Sequence, residues 1–198
     1  MMQPAVFLDR DGTMIHDAGY LGSVDRLRWY PWTVDAIRLL RRAGFVVVVT
    51  TNQGGVGLGL YAEQAVHQIH EAMRAVLRSS GTDVDGWFFC PHHPRSTVEA
   101  LRGPCECRKP APGMIRQAAA RFAIDLARSF VVGDKLSDVE LAVNAGARGI
   151  LVRTGSGHDV VEAAGGAVPG AAFVAANLME ATAWMLGQSG HPRDRRST

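Results

Sequence analysis

Phe45-Val46-Val47-Val48-Val49-Thr50 decides the fold. The run is β-branched and apolar without a polar break. A strand with one wet face alternates apolar and polar residues; this one does not, so it is buried on both faces. Such strands belong to parallel sheets covered by helices on each side. Ala5 to Asp9, Ser129 to Asp134 and Gly149 to Arg153 repeat the pattern, and Trp87 to Cys90 repeats it more weakly. Helical patterns fill the gaps. Thr33 is the capping candidate for a helix ending near Ala43, with Gly44 as its stop. Val66, Ile69, Met73, Val76 and Leu77 form an apolar stripe on a helix from about Ala62 to Arg78. Ile115, Ala119 and Phe122 mark another, and Val139, Ala142 and Val143 one more, stopped near Gly146. Strand and helix in alternation give an α/β fold: a doubly wound, mainly parallel, Rossmann-like sheet with right-handed crossovers. The expected organisation is a single domain over residues 1–186, with 187–198 (GQSGHPRDRRST) as a disordered tail.

The composition narrows the function. The chain has 198 residues, is 47% hydrophobic and carries a formal net charge of +2. That suits one globular unit and is too balanced for a bulk nucleic-acid or membrane binder. No apolar run reaches the roughly 18 residues of a membrane span. Met1-Met2-Gln3-Pro4 lacks the basic and apolar regions of a signal peptide, so the expectation is a cytoplasmic monomer. The 3 cysteines do not suit a secreted disulfide scaffold.

In a doubly wound sheet the ligand site lies beyond the carboxyl ends of the strands. Asp9-Arg10-Asp11-Gly12-Thr13 follows the first strand. Carboxylates at i and i+2 face the same side of an extended segment. Thr51-Asn52-Gln53-Gly54 follows the second, with hydroxyls, amides and backbone N–H groups able to cradle an anion. Farther on come Arg108-Lys109 and then Gly133-Asp134-Lys135-Leu136-Ser137-Asp138. Each alone has a bland reading: a loop start, a polar loop, an exposed basic pair, a helix cap from Ser137 or Asp138. Together they converge. Clustered carboxylates repel one another strongly in a low-dielectric site, and a divalent cation with hard oxygen ligands, Mg²⁺, resolves the repulsion.

This ordered set resembles the haloacid dehalogenase superfamily of aspartate-nucleophile phosphatases. The resemblance implies that Asp9 is the nucleophile and that Asp11 is the general acid and then the base. It also implies that Thr51 and Lys109 hold the phosphoryl oxygens. Mg²⁺ would be bound by Asp9, by the Asp11 backbone carbonyl and by Asp134. A narrower likeness lies in Cys90-Pro91-His92-His93-Pro94 followed by Cys105-Glu106-Cys107-Arg108-Lys109-Pro110. It is similar to the zinc loop of the D-glycero-D-manno-heptose 1,7-bisphosphate phosphatases, which the histidinol-phosphate phosphatases share. The loop also stands on its own chemistry. All 3 cysteines fall between Cys90 and Cys107. Cys90, His92, Cys105 and Cys107 make a closed tetrahedral set for structural Zn²⁺, with His93 as the other candidate for the nitrogen. The alternative is a set of buried apolar cysteines.

The substrate implied is a small phosphorylated sugar, with Asp17, Gly19, Tyr20, Thr51, Asn52, Gln53, Gly54, Arg108 and Lys109 in contact with it. Arg108 and Lys109 lean toward a bisphosphate over histidinol phosphate. An inactive zinc-stabilised binding protein is the alternative of another class. The intervals after the first two strands are too short for a large cap domain. Gly54-Gly55 stands where relatives often have Ser-Gly, a departure that touches specificity.

Overall fold

The computed structural model describes residues 2–188. The chain runs β1 (Ala5–Leu8), α1 (Thr33–Arg42), β2 (Val46–Asn52), α2 (Gly54–Gly57), α3 (Glu63–Ser79), β3 (Gly86–Cys90), α4 (Gly113–Phe122), β4 (Phe130–Gly133), α5 (Leu136–Ala145), β5 (Arg148–Val152), α6 (Gly157–Ala163), β6 (Ala171–Ala175) and α7 (Leu178–Gln188). The sheet has 6 strands in the order β3-β2-β1-β4-β5-β6. Every pairing is parallel.

Alternation along the strands sends side chains to two cores. Val6, Leu8, Val47, Val49 and Val132 point to the face covered by Ile37 and Leu40 of α1, Ile69 and Met73 of α3, and Leu178 and Met185 of α7. Ala5, Phe7, Val46, Val48 and Val131 point to the other, under Ile115 and Ala118 of α4 and Leu141 and Ala142 of α5. β2 is fully buried until its last residue, Asn52, as its unbroken valines require. The strand order reverses between β1 and β4. That switch point opens a crevice at the carboxyl ends.

Some expectations are corrected. Thr33 does not cap α1: Trp32 holds the N-cap position, and the Thr33 hydroxyl donates to the Met14 carbonyl at 2.7 Å. Ser137 does not cap α5; Lys135 is its N-cap residue, and the Asp138 carboxylate accepts the Lys135 N–H at 3.1 Å. Residues 187 and 188 close α7 rather than begin a tail. The remainder of the expected tail, 189–198, lies outside the described residues. The strand β6 and the helix α7 were not read from the sequence. Between β1 and β2 the chain holds only a short 3-10 turn (Val24–Arg26) and α1, and between β2 and β3 only α2 and α3. No helix among the described residues is long and apolar enough to cross a membrane.

Candidate active site

β1 ends at Leu8, and the next residue carries the first functional carboxylate. The Asp9 N–H donates to the Val132 carbonyl at 2.9 Å, which ties the start of the loop to β4. Gly12 then turns at φ 86°. A Cβ there would run into the Asp134 carboxylate, so only glycine lets the β1 and β4 loops approach this closely.

Lys109 lies between two of the carboxylates. Its Nζ donates to Asp9 Oδ1 at 2.5 Å, to Asp138 Oδ1 at 2.6 Å and to the Thr50 carbonyl at 3.1 Å. Burial alone would lower its pKa, but the Asp138 and Asp9 charges push it up, so the ammonium persists. Asp138 therefore does two things: one oxygen caps α5 and the other holds Lys109. The acidic pattern flagged Asp138 in the sequence, yet its place beside Lys109 was not assigned.

Asp134 is the carboxylate without enough partners. Its Oδ2 accepts the Ser156 N–H at 2.7 Å, while its Oδ1 is buried with no hydrogen-bond partner. Burial, with the Asp9 charge adding, pushes it up to about 7. Carboxylate oxygens of Asp9, Asp134 and Asp138 lie within 4.8 Å of one another. A hard divalent cation fits this donor set, since it would occupy the orphaned oxygen and remove the repulsion. The Asp11 carboxylate is not part of that cluster.

Asp11 turns to other partners. Arg10, fully buried, forks onto it: Nη2 donates to Oδ2 at 2.8 Å and to Oδ1 at 3.1 Å, and Nε donates to Oδ2 at 3.1 Å. Gln53 Nε2 donates to Oδ2 at 2.9 Å and to Thr51 Oγ1 at 2.9 Å. Burial raises the Asp11 pKa; the Arg10 charge opposes this and the Asp9 charge adds to it. Behind Arg10 stands His70, 4% exposed, its Nε2 3.4 Å from Arg10 Nη1. Burial first, then the Arg10 charge, pushes His70 down to about 3, so it is neutral and accepts.

Over this floor opens a cleft of about 430 Å³. Asp11, Asp17, Gly19, Tyr20, Asn52, Gln53, Gly54, Arg108 and Lys109 all line it. The structure thus gathers every expected substrate contact except Thr51, which sits beneath, hydrogen-bonded to Gln53. Tyr61, His93, Lys135 and Ser137 also line the cleft; the last three were singled out in the sequence for other roles, and none of the four as a substrate contact. Asn52 is less available than expected. Its Oδ1 accepts the Lys109 N–H at 3.0 Å and its Nδ2 donates to the Lys109 carbonyl at 3.2 Å. A Cβ at Gly54 would come 3.0 Å from the His93 ring and 3.2 Å from Arg108 Nη1, so a serine there requires those two side chains to give by a few tenths of an ångström.

The cysteine loop lies on the far side of Arg108. Cys90 Sγ is 3.6 Å from His92 Nδ1, 3.7 Å from Cys105 Sγ and 2.9 Å from Cys107 Sγ. Cys107 Sγ is 3.4 Å from His92 Nδ1 and 3.6 Å from Cys105 Sγ. A tetrahedron with bonds of about 2.3 Å has edges of about 3.8 Å; four of these separations come near that length and the Cys90–Cys107 pair is closer, in a donor set whose chemistry suits Zn²⁺. None of the sulfurs is in a disulfide. Of the two histidines, His92 joins the cluster; His93 Nδ1 instead accepts the Arg95 N–H at 3.1 Å. Arg108 Nη1 donates to the His92 carbonyl at 2.7 Å, which links the cluster to the cleft.

Comparison with known proteins agrees with this geometry. The HAD-hydrolase-like family model matches residues 106–181. The chain is 45% identical over 154 residues to D-glycero-β-D-manno-heptose-1,7-bisphosphate 7-phosphatase of Yersinia pestis, covering 77% of this chain and 81% of that one. It is also 45% identical to the enzyme of that name from Escherichia coli K12, covering 77% and 80%. Among solved structures, D,D-heptose 1,7-bisphosphate phosphatase from B. bronchiseptica, complexed with magnesium and phosphate, superposes with a TM-score of 0.82 at 35% identity, covering 93% of this chain and 99% of that one. The chain belongs to the haloacid-dehalogenase-like hydrolases, in the family of the heptose bisphosphate phosphatases. It is a phosphoric monoester hydrolase.

Proposed function

We propose that this enzyme removes the 7-phosphate of D-glycero-D-manno-heptose 1,7-bisphosphate through an aspartyl-phosphate on Asp9, leaving heptose 1-phosphate. The observation that carries this reading is the grouping of Asp9, Lys109 and Asp134 under a cleft whose rim holds Arg108 and Lys135. It is supported by relatives named for that substrate. A monophosphate would need only the cation at the floor; Arg108, held by the His92 carbonyl, and Lys135, paired with Asp17 at 3.1 Å, bring further positive charge to the cleft that a second phosphate would meet.

Asp9 attacks phosphorus with a carboxylate oxygen, and the bond from phosphorus to the C7 oxygen breaks. Asp11, as the neutral acid, gives its proton to that departing oxygen. Asp11, now a carboxylate, takes a proton from water; the water oxygen attacks phosphorus, expels Asp9 and frees phosphate. Lys109 and Thr51 hold phosphoryl oxygens throughout. Asp9, the Asp11 carbonyl and Asp134 would hold Mg²⁺, which would supply positive charge against those oxygens. Cys90, His92, Cys105 and Cys107 would hold Zn²⁺, which would fix the loop that carries Arg108 and Lys109.

Phosphate release with Mg²⁺ tests the reading against both anomers of heptose 1,7-bisphosphate, fructose 1,6-bisphosphate and histidinol phosphate. A heptose anomer is expected to lead by more than about tenfold in kcat/KM, roughly 1.4 kcal/mol of transition-state preference. A lead by histidinol phosphate would overturn the substrate and keep the chemistry.

A further inference from the structure

We propose that Tyr61 is a positioning residue for the acid–base carboxylate, acting through the side-chain amide of Gln53. The Tyr61 hydroxyl donates to Gln53 Oε1 at 3.0 Å. Gln53 Nε2 donates in turn to Asp11 Oδ2 and to Thr51 Oγ1, each at 2.9 Å. An amide can turn over by 180°, which exchanges its donor and acceptor ends. Turned over, Gln53 would set its oxygen against the Asp11 carboxylate. A hydroxyl that donates to Oε1 holds the other orientation.

The phenol is itself held. Its ring is wedged where a Cβ on Gly55 would come within 2.5 Å and one on Gly22 within 2.8 Å. Both positions are glycine, and any side chain there displaces the ring. Gly55 therefore has a use that the sequence did not reveal. Burial pushes the Tyr61 hydroxyl up to about 12, so it keeps its proton across the working range.

The consequence falls on one atom. Asp11 Oδ2 receives Arg10 Nε, Arg10 Nη2 and Gln53 Nε2, whereas Oδ1 receives only Arg10 Nη2, at 3.1 Å. Oδ2 is thus the anchored oxygen and Oδ1 the freer one, so the carboxyl is held in a single rotamer. Without the Tyr61–Gln53 link that asymmetry weakens, and the Asp11 carboxyl is less firmly held in the orientation that acid catalysis needs.

The inference rests on the reading of Asp11 as acid, and the experiment separates the two. Turnover is measured on heptose 1,7-bisphosphate, whose alkoxide needs a proton to leave, and on p-nitrophenyl phosphate, whose phenolate needs little help. Tyr61→Phe keeps the ring in its slot. It is expected to lower the alkyl-to-aryl ratio of kcat about tenfold, with KM for the sugar within about twofold. Gln53→Leu should lower the same ratio at least as far, and adding Tyr61→Phe to it should lower the ratio no further. A parallel fall on both substrates, or an additive loss in the double variant, would overturn the inference. Asp11→Asn serves as the reference. If it collapses the ratio while Tyr61→Phe does not, only the Tyr61 link is wrong. If it leaves the ratio intact, the acid itself is misassigned.

Discussion

The carboxylate floor and the cysteine loop both gather acidic ligand groups, but they are assembled by different means. Asp9, Thr51 and Asp134 sit at the ends of strands whose register is fixed by buried β1–β2 and β1–β4 pairing. The floor also carries its own countercharge in Lys109, held by Asp9 and Asp138. The loop between β3 and α4 has only one 3-10 turn, Glu99–Leu101, for regular structure. The three sulfurs contact one another, Cys107 Sγ lying 2.9 Å from Cys90 Sγ; burial raises the Cys90 thiol, with the Cys107 contact adding. The floor is organised by the sheet, whereas the loop offers a ligand set that a metal could organise.

The comparison can be broken at several points, and the largest effect falls on the floor. Asp9→Asn removes the nucleophile and should lower kcat by about 10⁴-fold or more. The sheet does not depend on that charge, so the melting temperature should stay within a few degrees. A large drop would mean that the floor is structurally dependent on its own chemistry. Cys107→Ser should do the reverse. Bound zinc falls below one per chain, the loop becomes protease-sensitive, and activity drops roughly a hundredfold because Arg108 and Lys109 lose their support. Unchanged zinc content with unchanged activity would end the structural-zinc reading.

A smaller effect sharpens the account of the wall behind the floor. His70 is held near 3, well below its usual 6.5, by burial and then by Arg10. The unfolded chain takes up a proton there below 6.5 and the folded chain does not. Stability from this site is therefore complete above pH 6.5 and lost as pH falls from 6.5 toward 3, at up to about 1.4 kcal/mol per pH unit. Urea unfolding of the zinc-loaded protein at pH 7 and pH 5.5 should show this loss, and His70→Gln should reduce it.

The two regions also differed in how readily the sequence could be read. The floor was legible because its residues directly follow apolar runs, and strand order in a doubly wound sheet brings such positions together. The zinc set was legible because its cysteines fall close together. The choice of His92 over His93 was not: adjacent residues differ only in which way the loop backbone turns each ring. Nor was the occupation of the Asn52 amide by the Lys109 backbone, a pairing 57 residues apart. Tyr61 could not be found either, because its hydrogen-bond partner Gln53 and the glycines that seat it, Gly22 and Gly55, lie on two segments apart from it. β6 escaped because Ala171–Ala175 is mostly alanine, which has little strand preference of its own.

The central claim is covalent chemistry at Asp9, and it can be trapped. The enzyme is quenched during turnover of heptose 1,7-bisphosphate, reduced with borohydride and digested. Reduction of an acyl phosphate converts the aspartate to homoserine. Homoserine at position 9, dependent on substrate and Mg²⁺, is the expected result. Vigorous turnover with no homoserine at position 9, or with homoserine at another carboxylate, would contradict the mechanism.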